Sequence, residues 1–136
     1  MTIDKKYVDQ FINVTSNAAI ASSHLVGKKD KIAADQAAVD AMRTELNKID
    51  MTGEIVIGEG SLDEAPMLYT WEKLGNKKGP DFDIAVDPLE GTNFAAKNLP
   101  GALSVIAAAE KGNLLKAPET YTVSYTHLTL PTIEWV

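Results

Sequence analysis

Three carboxylates sit in two short motifs beside residues that shape the backbone. The first motif is Ile57-Gly58-Glu59-Gly60, and the second is Val86-Asp87-Pro88-Leu89-Glu90-Gly91-Thr92. In the second, each residue type has a mechanical task. Proline cannot donate to a central ladder, so Pro88 is expected to end a strand just after Asp87. Glu90 can then turn back towards Asp87, and Gly91 permits a tight bend and close approach of a ligand. Thr92 is a fair N-cap for a short helix, with its hydroxyl facing the same space.

Asp87, Glu90 and Glu59 held close together would repel unless cations offset their charge. Carboxylates suit Mg²⁺ or Mn²⁺ rather than zinc or copper. Two such ions roughly 3.5–4 Å apart can clamp a phosphate, activate a water and stabilise a leaving oxygen. Each fragment also has a plainer reading. A Gly-Glu-Gly turn is most often only a turn. Asp35, in the first turn or so of a helix, is more often a favourable charge against the dipole than a ligand. His24, His127, Lys28, Lys29, Lys77 and Lys78 read as structural or solvated residues. Ser61 has no nucleophile elbow, and the stretch from Gly75 to Gly79 lacks a P-loop and a dinucleotide fingerprint.

The elements that must position these acids follow from periodicity. Asp4 to Val26 is predicted to form an amphipathic helix on Tyr7, Phe11, Val14, Ala18, Ala21 and Leu25, stopped by Gly27. A second helix, capped by Asp30, is expected to run to about Ile49 on Ile32, Val39, Met42, Leu46 and Ile49. Glu54 to Gly58 reads as a buried strand and Met67 to Leu74 as a short helix stopped by Gly75. A polar loop follows from Asn76 to Pro80. Asp83 to Asp87 reads as a second strand and Ala102 to Ala109 as a third, with a turn at Glu110 to Asn113 and a possible return at Leu114-Leu115. Helices followed by strands indicate an α/β or α+β class, in which ligands gather at the carboxyl ends of strands.

Composition narrows the function classes. The 136 residues are 45% hydrophobic, enough for one core, and the formal net charge of −6 argues against nucleic acid or an anionic membrane as the main partner. That charge is compatible with a phosphorylated substrate held through cations. The absence of cysteine excludes disulfides, zinc-thiolate sites and cysteine nucleophiles. No signal-peptide pattern and no run of 18 apolar residues is present, so a cytoplasmic location and no membrane span are expected.

At Asp87 to Thr92 the chain resembles the lithium-sensitive, metal-dependent phosphomonoesterases. Further residues narrow the resemblance to class II fructose-1,6-bisphosphatase. They are Ile55 to Gly60, Asp63-Glu64-Ala65-Pro66-Met67-Leu68-Tyr69, Val14-Thr15, Ala34-Asp35 with Ala37-Ala38-Val39, and Ala117-Pro118-Glu119-Thr120-Tyr121. The resemblance covers residues 7 to 121. It implies a layered α/β sugar-phosphatase fold and hydrolysis of the 1-phosphate of fructose 1,6-bisphosphate in gluconeogenesis, with Mn²⁺ or Mg²⁺. Some relatives also act on sedoheptulose 1,7-bisphosphate.

By motif position, the resemblance makes Asp35, Glu59, Asp87 and Glu90 metal ligands. Glu90, Gly91, Thr92 and Tyr121 would touch substrate. Thr92 would position or activate the attacking water, Asp63 would assist, and Lys31 matches a family lysine near the site. Family members run to roughly twice this length or more, and their second half supplies basic phosphate-binding residues and a further acidic ligand. Residues 1–121 are therefore expected to be the N-terminal part of the catalytic domain. On its own this portion is expected to be inactive, and the full-length parent to be a homo-oligomer. Residues 122–136, from Thr122 through Leu128 to Val136, depart from the family pattern and look like translated adapter read-through. Two alternatives stay open: another metal-dependent phosphomonoesterase, specific for sedoheptulose bisphosphate or an inositol phosphate, and a non-catalytic module that binds metal or phosphate.

Overall fold

Asp4 and Asp30 each open a helix by the same device. The Asp4 carboxylate accepts a hydrogen bond from the Lys6 amide and the Asp30 carboxylate from that of Ala33, satisfying donors that a helix start leaves free. Helix α1 spans Lys5–Ser23 and α2 spans Lys31–Leu46. The computed structural model describes residues 3–60 and 67–116. Between the helices Gly27 takes a φ of 76°, a left-handed turn that costs glycine little.

Four strands form one sheet in the order β2-β1-β3-β4. Strand β1 is Thr52–Ile57, β2 is Lys73–Leu74, β3 is Asp81–Glu90 and β4 is Leu103–Glu110. A short helix, α3, spans Thr92–Ala96. The central pair, β1 and β3, is parallel, and both outer strands run antiparallel to their neighbours. Helices and a mixed sheet make this an α/β chain, as the sequence indicates.

The core lies between the two long helices and the sheet. Tyr7, Phe11, Val14 and Ala18 of α1 meet Ala34, Ala38, Val39, Met42 and Leu46 of α2, and both groups join Ile55, Phe82, Ile84 and Val86 of the sheet. Small Ala34 and Ala38 let the helices approach closely. Phe82 packs in T-shaped contact with both Tyr7 and Phe11, with ring centroids 5.1 and 5.8 Å away. Each large side chain fully buried here contributes roughly 1.5–3 kcal/mol relative to exposure.

Five expectations need correction. Helix α2 ends at Leu46, and Ile49 is buried beyond it, where its amide donates to the Leu46 carbonyl. Ile32 is 75% exposed. It lies in the first turn, at the outer margin of the buried stripe. No helix forms between Met67 and Leu74. The Trp71 amide donates to the Ile55 carbonyl and the Ile55 amide to that of Glu72, so the segment ends as strand β2. Pro88 does not end β3, which continues to Glu90. The register with β4 shifts between Asp87 and Glu90, and such a bulge accepts a residue with no amide proton. Among the described residues, Leu114 and Leu115 add no returning strand after the turn at Lys111-Gly112.

Candidate functional site

Parallel pairing brings the two acidic motifs to the same end of the sheet. Ile57 at the end of β1 is level with Ala85 of β3, so Glu59 just beyond β1 and Asp87 near the carboxyl end of β3 lie at the same end of the sheet. Gly58 is required there, because a Cβ would run into the Leu68 carbonyl. The next residue is fixed by its backbone: the Glu59 amide donates to Leu68 O at 2.9 Å, and Thr70 N donates to Gly60 O at 3.3 Å.

The bulge in β3 lets Glu90 act on Asp87 three residues earlier in the strand. Burial, first, and then the hydrogen bond and charge of Glu90 push the Asp87 carboxyl up to about 7. The charge of Asp35 adds to this rise, and a backbone hydrogen bond from Leu89 opposes it. Asp35 projects from the second turn of α2. Burial raises its carboxyl above the ordinary range, and its Oδ1 is buried without a hydrogen-bond partner among the described residues. Gly91, at φ 78°, caps α3 in the left-handed region. Thr92 is therefore the first helical residue rather than the cap.

The predicted residues thus divide into groups. Glu90 and Asp35 both act on Asp87, and Glu59 follows the end of the adjacent strand. Lys31 is exposed at the start of α2, and His24 is exposed at the C-cap of α1. Asp63, Tyr121 and the expected tail at 122–136 lie outside the described residues. Among the described residues, no three His, Cys, Asp or Glu side chains converge closely enough to form a finished metal cage. The donor chemistry nevertheless fits a hard divalent cation. A buried carboxylate oxygen without a donor and a neighbouring pair of acids are both relieved by positive charge. A groove of about 430 Å³ between α1 and β4 is lined by Phe11, Ile12, Val105 and Ile106 and contains no carboxylate, so we place the chemistry at the strand ends instead.

The sequence that carries these acids matches a known family. Residues 5–124 match the model of bacterial fructose-1,6-bisphosphatase, glpX-encoded. The chain belongs to this family. A Prochlorococcus marinus (strain MIT 9303) protein named D-fructose 1,6-bisphosphatase class 2/sedoheptulose 1,7-bisphosphatase is 50% identical over 119 residues, covering 88% of the chain and 36% of the relative. A Synechococcus sp. (strain CC9605) protein of the same name has the same identity and coverage. The chain spans about a third of the length of these relatives, 36% in each case. No helix among the described residues is long and apolar enough to cross a membrane.

Arg43 and Glu72 carried no signal in the sequence, yet they tie the segment that receives the Glu59 amide to α2. The Arg43 guanidinium meets the Glu72 carboxylate at 2.7 Å (Nε to Oε1) and 3.2 Å (Nη2 to Oε2). The partners are 29 residues apart, so no local pattern could have linked them.

Proposed function

We propose that this chain is part of a metal-dependent sugar-bisphosphatase that removes the 1-phosphate of fructose 1,6-bisphosphate. The observation that carries this reading is the Asp87–Glu90 carboxyl pair, held on a bulged strand end with Asp35 close by, in a chain of this family. Asp35, Glu59, Asp87 and Glu90 would hold Mn²⁺ or Mg²⁺. The bound ions would supply Lewis-acid stabilisation of a phosphoryl oxygen and activation of water.

The chain's own residues do the rest. Gly91 brings the backbone close enough for Glu90, Gly91 and Thr92 to touch substrate, joined by Tyr121. The Thr92 hydroxyl orients the attacking water, and Asp63 assists. Gluconeogenesis, a cytoplasmic location and a homo-oligomeric full-length protein belong to the same reading. Supplying only part of the ligand set, the isolated 136-residue chain binds metal weakly and turns over little. The relatives' names favour a second substrate, sedoheptulose 1,7-bisphosphate, which presents the same ester.

Two measurements test the proposal. Mn²⁺ is expected to raise the melting temperature of the chain, and Asp87→Asn to remove the rise. A chain whose melting ignores Mn²⁺ would instead be a module with a merely solvated acidic cluster. In the full-length protein, Glu90→Ala is expected to abolish fructose 1,6-bisphosphate hydrolysis. Retained hydrolysis would refute the assignment.

A further inference from the structure

The segment from Met67 to Glu72 has no regular secondary structure. Trp71 within it takes a φ of 77°, uncommon for a bulky residue. Its backbone nevertheless sets the position of a candidate ligand, because Leu68 O accepts the Glu59 amide. Backbone hydrogen bonds tie the segment to β1 and the turn after it, and one side chain of α2 ties it to the helix. Arg43 grips Glu72 with two nitrogens and donates from Nη2 to the Met67 carbonyl, while Glu72 Oε2 also accepts from the Tyr69 amide at 3.4 Å. Helix α2 is also the element that carries Asp35.

The pair is largely withdrawn from water. Side-chain exposure is 27% for Arg43 and 10% for Glu72. Stability is a poor explanation for such a pair, since desolvation offsets most of its attraction and apolar replacements are often as stable. A forked guanidinium on a carboxylate supplies orientation instead. We propose that Arg43 and Glu72 are positioning residues for the candidate metal site, locking the 67–72 segment, and through it Glu59, to the helix that bears Asp35. This inference rests on the metal-site reading above.

The test measures Mn²⁺ affinity of the purified chain by titration calorimetry, below the melting temperature of every variant. Arg43→Lys keeps the charge and loses the fork. The double variant Arg43→Met/Glu72→Leu leaves no charge buried alone and is expected to fold. Both are expected to bind Mn²⁺ about 10–100-fold more weakly, with melting temperatures in the absence of metal close to wild type for the double variant. The Glu59 amide is expected to exchange its hydrogen faster in both, while amides in the first half of α2 keep their protection. Unchanged affinity in folded variants would overturn the positioning role and leave the metal site standing. If the wild-type chain itself bound no Mn²⁺, the metal-site reading would fall and this inference with it.

Discussion

Glu90 acts on Asp87 across the bulge of β3, and with burial it pushes the Asp87 carboxyl up to about 7, although both are acids. A strand without the bulge would point residues three apart to opposite faces. The register shift at Pro88 and Leu89 is what turns them together. Two carboxyl groups in contact cannot both ionise cheaply, so one keeps its proton near neutrality or a cation takes its place. The same local geometry therefore makes the site a stability cost without metal and a binding site with it.

That cost has a definite pH dependence. The Asp87 carboxyl is held up to about 7 in the folded chain, against about 3.9 when unfolded. Between those values the folded chain binds a proton that the unfolded chain has released, so stability falls as pH rises from about 4 to about 7 and stays low above. Asp87 is only half-buried, and solvent screening reduces the effect to about 1–2 kcal/mol. Melting curves at pH 5 and pH 8 are expected to show Asp87→Asn gaining on wild type at the higher pH. Equal pH dependence in the two proteins would mean that Asp87 ionises normally.

Gly91 carries the turn that keeps Glu90 and Thr92 in place. Its φ of 78° lies in the left-handed region, and an added Cβ would stand 3.1 Å from Phe94 Cδ2. Gly91→Ala is expected to destabilise the chain by about 1–2 kcal/mol and to weaken Mn²⁺ binding together with stability. Gly91→Asn should be milder, since asparagine tolerates this region. Thermal melts of the two variants check the order, and an alanine variant as stable as wild type would show that the turn relaxes freely.

The helices, the two central strands and both acidic motifs were legible in the sequence because each is specified locally. Aspartates before apolar stripes mark α1 and α2, and β-branched runs mark β1 and β3. Met67 to Leu74 was misread because its conformation depends on distant partners, Ile55 in β1 and Arg43 in α2. Pro88 was misread because a bulge is a property of two strands, and Ile106 to Leu103 supply the second. Of the site, the residue types at Asp35, Glu59, Asp87 and Glu90 were visible. The bulge that sets Glu90 against Asp87 and the grip of Arg43 required the fold.

Gly58 gives a sharper test of the β1 end. A Cβ there would meet the Leu68 carbonyl and lie 3.2 Å from Thr70 N, both of them backbone atoms that cannot swing aside. Gly58→Ala must push the 68–70 backbone away and break the Glu59–Leu68 hydrogen bond. A loss of about 2–4 kcal/mol is expected. Gly112→Ala is the control, since its φ of 84° carries strain but nothing lies within 4 Å of the added carbon. Denaturant titration should rank Gly58→Ala well below Gly112→Ala, and the reverse order would show that the close approach is absent in solution.

Strand β4 closes one side of the sheet with its outer edge unpaired among the described residues. Leu103 and Val105 on it are 60% and 45% exposed, and Val8 and Ile12 of α1 lie exposed on the neighbouring groove. An apolar edge with free amides and carbonyls is a template for pairing with another strand, and charge on the edge suppresses this. The isolated chain is therefore expected to self-associate as its concentration rises. Val105→Lys should reduce that association without lowering the melting temperature, because the side chain already meets solvent. Sedimentation velocity across a dilution series checks both statements. A wild-type chain that stays monomeric throughout would overturn the pairing role of this edge.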